Sequence, residues 1–214
     1  MTGSDDAAVR EALAVLAGGG VVGYPSETVW GLAALPGYLP GPSRSASPFF
    51  PAGVERLYRL KGRDSLKPVQ LSCSSASVAR TWTNTSDPQG TAFERLSGLW
   101  PGPLTLLARA AAGCPEALAP GGVVGLRVPA HPLALALLEA AGGTLATTSL
   151  NPSGAPAATT RSEAAAYGLA DLLLCDPAKD GRVSGRASTV YDLMAGVIVR
   201  QGDLSEAQVR AALG

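Results

Sequence analysis

The alternation of short apolar runs with helix-period segments constrains this chain more than any other feature. "PVQLSC", "LTLLARA", "GVVGLRVP", "GTLATTSL", "DLLLCD", "STVYDL" and "GVIVRQG" each read as a strand, because each is rich in Val, Leu, Ile or Thr and most are bounded by Gly, Pro or Asp. Residues 20–24 read as one more. Helical patterns interleave with them at about 75–82, 89–98, 131–142, 161–168 and 205–213. Thr160 to Glu163 and Ser205 to Gln208 have the spacing of a capping box. Strands alternating with helices specify an α/β sheet. The near-adjacent strands after residue 170 add antiparallel pairing, so the expected fold is α/β, a single-domain, twisted, mixed sheet flanked by helices over residues 1–214.

Other local signals fill in the chain. Ser4 is placed to cap a helix whose first turn holds Asp5 and Asp6 and whose apolar face is Val9, Leu13 and Leu16. Gly18 to Gly20 ends it. The segment 36–53, "PGYLPGPSRSASPFFPAG", is rich in Pro, Ser and Gly and reads as an inserted surface loop. Val54, Leu57 and Tyr58 then begin a short helix that runs into Lys61 and Arg63.

Composition removes whole classes of function. With 214 residues, 46% of them hydrophobic and 16% charged, the chain has enough apolar surface for one substantial core. No apolar run reaches the roughly 18–20 residues of a membrane-spanning helix. The N-terminus is acidic where a signal peptide is basic, and Cys73, Cys114 and Cys175 are odd in number and widely spaced, which favours reduced thiols in the cytoplasm. Formal net charge is zero, so no global field draws the protein onto nucleic acid. Only three lysines occur, and Lys61 and Lys67 flank Arg63, a local candidate for binding an anion.

Several motifs fail on context. "GGGVVG", Gly18 to Gly23, matches a dinucleotide fingerprint in letters only, since it follows a helix and opens a strand. There is no Walker loop. His131 is the single histidine, without a G-x-S-x-G nucleophile or enough companions for zinc. The polar clusters that remain fall at strand ends or in the loops after them: "PSET" at 25–28, "KGRDSLKP" at 61–68, "LRVP" at 126–129, "TTSLNPSG" at 147–154, "GRAST" at 185–189 and "VRQGD" at 199–203. Such loops are where α/β sheets bind ligands. Arg127 and Arg200 follow buried-looking strands and need anionic or hydrogen-bonding partners. Acidic residues near the clusters are few: Glu27, Asp64, Asp176 and Asp192. A bound anion is therefore the better reading.

Taken in order, "YPSETVWGL", "KGRDSLKP", "WPGPLTL", "RVPAHP", "SLNPSG", and "STVYD" with "RQG" resemble the motifs of the YrdC-type L-threonylcarbamoyladenylate synthases, across residues 8–213. The resemblance implies a large concave pocket and a reaction. ATP, L-threonine and bicarbonate or CO2 would give threonylcarbamoyl-AMP and pyrophosphate, for the threonylcarbamoyladenosine (t6A) modification of tRNA. It implies Ser26, Ser72, Thr147 (through backbone groups), Ser188 and Arg127 around threonine, with Arg127 on its carboxylate. Lys61, Arg63, Lys67, Ser149, Asn151 and Arg200 would hold ATP, and Lys61, Arg63 and Arg127 would carry catalysis. Mg2+ would accompany ATP rather than sit in a side-chain cluster, and no organic cofactor is implied. The implied partners are a downstream tRNA-modifying threonylcarbamoyl transferase complex and weak binding of tRNA itself, with no membrane.

The chain departs from the family pattern at Ser26 (usually Thr), Trp30 (usually Tyr or Phe), Ser72 (often His) and Val123 (often a hydroxyl residue), and the 36–53 loop is longer than usual. Only the catalytic domain is expected, without the further C-terminal domain some relatives carry. The alternative from another class is a non-catalytic tRNA- or double-stranded-RNA-binding module of the same fold, against which zero net charge and 5% aromatic content count. A carbamoyl-adenylate domain of hydrogenase maturation would belong to a much larger chain.

Overall fold

The computed structural model describes residues 3–37, 52–61, 69–174 and 183–214. Helix α1 (Gly3–Ala17) starts one residue ahead of Ser4, with Asp5 and Asp6 in its first turn. Val9, Ala12 and Leu16 are its buried stripe and Leu13 sits at the margin, a rotation of one position from the expected face. The chain leaves α1 through Gly18 to Gly20 and enters β1 (Val22–Tyr24), which pairs antiparallel with β2 (Gly31–Ala34). Helix α2 (Ala52–Leu60) takes in Ala52 and Gly53 from the expected 36–53 loop; residues 38–51 of that loop lie outside the described residues.

The remaining order is β3 (Gln70–Cys73), α3 (Ala76–Thr81), α4 (Gln89–Ser97), β4 (Leu104–Arg109), a 3-10 turn at Pro120–Gly122, β5 (Val123–Arg127), α5 (Pro132–Ala140), β6 (Thr144–Ser149), α6 (Arg161–Tyr167), β7 (Leu172–Leu173), β8 (Thr189–Asp192), β9 (Val197–Arg200) and α7 (Glu206–Leu213). Both capping boxes form, Thr160 with Glu163 at α6 and Ser205 with Gln208 at α7. No helix among the described residues is long and apolar enough to cross a membrane.

Among the described residues, nine strands form one sheet in the order β7-β1-β2-β6-β3-β5-β4-β8-β9. It is mixed: β1 with β7, β3 with β5 and β4 with β8 run parallel, and the other joints are antiparallel. Because side chains alternate between faces, register decides what shares a surface. Leu32, Ala146, Leu71, Leu126 and Leu106 stand on one face and merge with apolar residues of α2, α3 and α4 into the larger core. The opposite face carries Tyr24, Ala33 and Leu145, packed under α1 and α5. That second face continues past α1 and α5 as Thr147, Gln70, Gly125 and Leu107, register partners across β6, β3, β5 and β4. There the helices no longer cover it, and a cavity results.

Candidate active site

The cavity holds about 390 Å³, and strands as well as loops line it. Of the residues expected around a ligand, Ser26, Arg127, Thr147, Ser149, Asn151, Ser188 and Arg200 stand on its wall. Lys61 and Ser72 are buried beside it without lining it. Arg63 and Lys67 lie outside the described residues. Among the described residues the wall carries two guanidinium groups and no carboxylate.

Arg127 ends β5. Its Nη2 donates to Glu27 Oε1 at 2.7 Å and to Thr28 Oγ1 at 3.0 Å, and its Nε donates to Gly102 O at 3.3 Å. Glu27 Oε2 also accepts from the Ala130 N–H at 3.0 Å. One carboxylate thus ties the 25–28 loop to the segment after β5, and supplies Arg127 with the counter-charge that a buried cation needs. The same loop is held from the far side by Ser184 N–H on Glu27 O and Gly185 N–H on Thr28 O, both 2.9 Å. Ser26 Oγ donates to Val29 O at 2.7 Å and lies 2.9 Å from Thr28 Oγ1. The polar trio between two apolar strands is therefore a bracket around Arg127.

Arg200 ends the edge strand β9. Its Nε and Nη2 donate to Ser188 O at 3.1 and 2.8 Å, and Nη2 also donates to Ser188 Oγ at 3.1 Å. No carboxylate among the described residues pairs with it. Burial, followed by the like charge of Arg127, pushes its pKa below the ordinary guanidinium value; a bound anion would relieve both. Gly202 makes this contact feasible. A Cβ there would lie 2.2 Å from Ala187 O and 2.4 Å from Ser188 C and Thr189 N, all backbone, so only glycine lets the chain after β9 press against the Ser188 turn.

Lys61, at the end of α2, donates to Ser149 O (2.8 Å), Asn151 O (2.7 Å) and Asn151 Oδ1 (2.9 Å). It buttresses the turn after β6 from behind. Ser149 Oγ donates to Asn151 Oδ1 at 2.6 Å, and Asn151 Nδ2 donates to Pro152 O and Ala155 O. Thr147 meets the cavity with its side chain, because its backbone lies in the ladder between β2 and β3. Ser72 Oγ sits behind it, 2.8 Å from Thr147 Oγ1.

Gln70 and Thr105 also line the cavity, and sequence reasoning missed both. They are mid-strand, at positions that read as strand filling. The available signal was a polar residue in a buried strand, with Ser72 two residues on and hence on the same face. Tyr24 is pushed up by burial, against the lowering effect of its Ser72 hydrogen bond and of Arg127, so it keeps its proton. Burial likewise raises Cys73 to about 12 and Cys114 to about 11, which leaves these two thiols protonated and unreactive at neutral pH. Among the described residues no group of three or more His, Cys, Asp or Glu is placed to hold a metal ion.

Comparison with known proteins places this geometry. The family model for Sua5, YciO and YrdC, described as telomere recombination, matches residues 14–202. A threonylcarbamoyl-AMP synthase of Alkalilimnicola ehrlichii is 37% identical over 200 residues, covering 90% of this chain and 94% of the relative. One of Bacillus subtilis is 30% identical over 99% of this chain, which spans 58% of the relative's length. In three dimensions the chain is similar to the crystal structure of P. abyssi Sua5 complexed with L-threonine, with a TM-score of 0.81 and 28% identity over 96% of this chain and 57% of that one.

Proposed function

Because the chain belongs to the Sua5/YciO/YrdC family, we propose that it is an L-threonylcarbamoyladenylate synthase, a nucleotidyltransferase that joins L-threonine, bicarbonate or CO2 and ATP into threonylcarbamoyl-AMP and releases pyrophosphate. The observation that carries this reading is the pair Arg127 and Arg200 facing one cavity whose described wall has no carboxylate. Two anionic groups brought together there, a carboxylate and a phosphate, complement it.

The chemistry asks little acid–base work of the protein. Threonine's amine adds CO2 to form a carbamate with loss of a proton. A carbamate oxygen then attacks the α-phosphorus, the bond to the β-phosphate oxygen breaks, and pyrophosphate leaves. The protein contributes position and charge. Arg127, held in place by Glu27, aligns the threonine carboxylate. Arg200 faces the phosphate side with Ser149 and Asn151 on the wall nearby, and the family resemblance assigns Arg63 and Lys67 to the phosphates as well. Mg2+ arrives on the ATP phosphates as part of the substrate. In the cell the product would feed a tRNA-modifying threonylcarbamoyl transferase in the cytoplasm.

The test is pyrophosphate release in the presence of ATP and bicarbonate, with and without L-threonine. Threonine-dependent release is expected. Absence of it, with salt-sensitive tRNA binding in its place, would overturn the enzyme reading in favour of an RNA-binding module.

A further inference from the structure

Two of the cavity's hydroxyl protons, those of Thr147 and Thr105, go to oxygens of Gln70 that can only accept, and they fix the direction of their neighbours. Thr147 Oγ1 lies 3.2 Å from the Gln70 carbonyl, so Thr147 donates there and takes the proton of Ser72, 2.8 Å away. Ser72 then has no proton for Gln70, and accepts from Gln70 Nε2 at 3.4 Å. This assigns the carboxamide: its Oε1 faces Thr105. Thr105 Oγ1 donates to Gln70 Oε1 at 2.7 Å and must accept from Ser188 Oγ at 2.8 Å. Ser188 in turn accepts from Arg200 Nη2. Every proton in this run points from Arg200 towards Gln70, and Ser188 keeps only lone-pair capacity for the cavity. Gln70 can span from β3 to β4 because its register partner on the intervening β5 is Gly125, which has no side chain.

We infer that Gln70 and Thr105 are positioning residues that fix Ser188 as a hydrogen-bond acceptor, so that the cavity selects a ligand presenting an N–H or O–H donor beside its anionic groups. The inference rests on the threonine reading above. The donor is either the amine or the side-chain hydroxyl of the amino acid. Arg200 is affected less than Ser188, because the Ser188 carbonyl also holds it.

Thr105→Val removes the acceptor of the Ser188 proton at nearly constant volume, and Gln70→Leu releases the run from its other end. In each, KM for L-threonine should rise about tenfold, the size of one hydrogen bond, while KM for ATP stays within about twofold; Thr105→Ser should restore the wild-type values. L-2-aminobutyrate, which lacks the hydroxyl, separates the two donors. If the hydroxyl is the donor, Thr105→Val narrows the preference for L-threonine; if the amine is, KM for both amino acids rises in parallel. Should Thr105→Val not fold, Gln70→Leu at the cavity surface carries the test. Unchanged KM for L-threonine, an equal rise for ATP, or a Thr105→Ser protein as weak as Thr105→Val overturns the inference. An active wild type with indifferent variants defeats the inference alone, whereas a wild type without threonine-dependent turnover defeats the functional reading and this inference with it.

Discussion

Arg127 leaves the interior strand β5 with a carboxylate waiting for it, whereas Arg200 leaves the edge strand β9 and, among the described residues, meets the neutral oxygens of Ser188. The difference follows from where each strand lies. A cation in the middle of a sheet is costly to bury without a counter-charge, and Glu27 supplies one from a loop 100 residues away. That neutralisation also fixes the guanidinium, which suits orienting a small carboxylate. A cation at the edge is half-solvated and tolerates having no carboxylate partner among the described residues. It therefore keeps its net charge for a ligand, which suits drawing in a polyanion. One corner of the cavity is rigid and internally balanced, and the other is positive and waiting.

The comparison can be broken at either corner. Arg127→Lys should do the most damage, lowering kcat/KM for L-threonine about a hundredfold, because an ammonium cannot reproduce the planar group whose Nη2 holds Glu27 and Thr28 while its Nε holds Gly102 O. A loss below about threefold would mean that charge alone matters there. Gly202→Ala comes next. It should push β9 off the Ser188 turn, raise KM for ATP about thirtyfold and lower the melting temperature by about 5 °C. Arg200→Gln should reproduce that ATP defect with a melting curve close to wild type; a matching fall for L-threonine would erase the distinction between the corners. Glu27→Gln keeps an acceptor for the Ala130 N–H but removes the counter-charge, and should raise KM for L-threonine about tenfold. Ser26→Thr should be the mildest, within about threefold in kcat/KM, since the hydroxyl can keep its bond to Val29 O.

Much of the architecture was legible in local sequence. The capping boxes at Thr160 and Ser205 set helix starts, the glycines at 18–20 closed α1, and alternating runs marked the strands. Other parts were not. Ala12 took the buried place assigned to Leu13, because the tilt of α1 against α5 is a property of the pair. The short strand β7 lies beside β1 at one edge, although β8 and β9, close to it in sequence, form the other edge. Lys61, just after α2, also holds the turn of Ser149 and Asn151, 88 to 90 residues further along the chain, a contact that nothing in "KGRDSLKP" shows.

The site divides in the same way. The sequence alone identified the polar loops, the two arginines that end apolar strands, and the shortage of acid near them, because those are facts of composition and strand-end position. The pairing of Glu27 with Arg127, and the run from Arg200 through Ser188 and Thr105 to Gln70, were decided by tertiary structure. Both depend on strand order and register, which bring residues 12 to 100 positions apart within hydrogen-bond distance. A residue's period tells which face of its strand it occupies; only the assembled sheet decides what lies across from it, and whether a helix covers that face or leaves it open to a ligand.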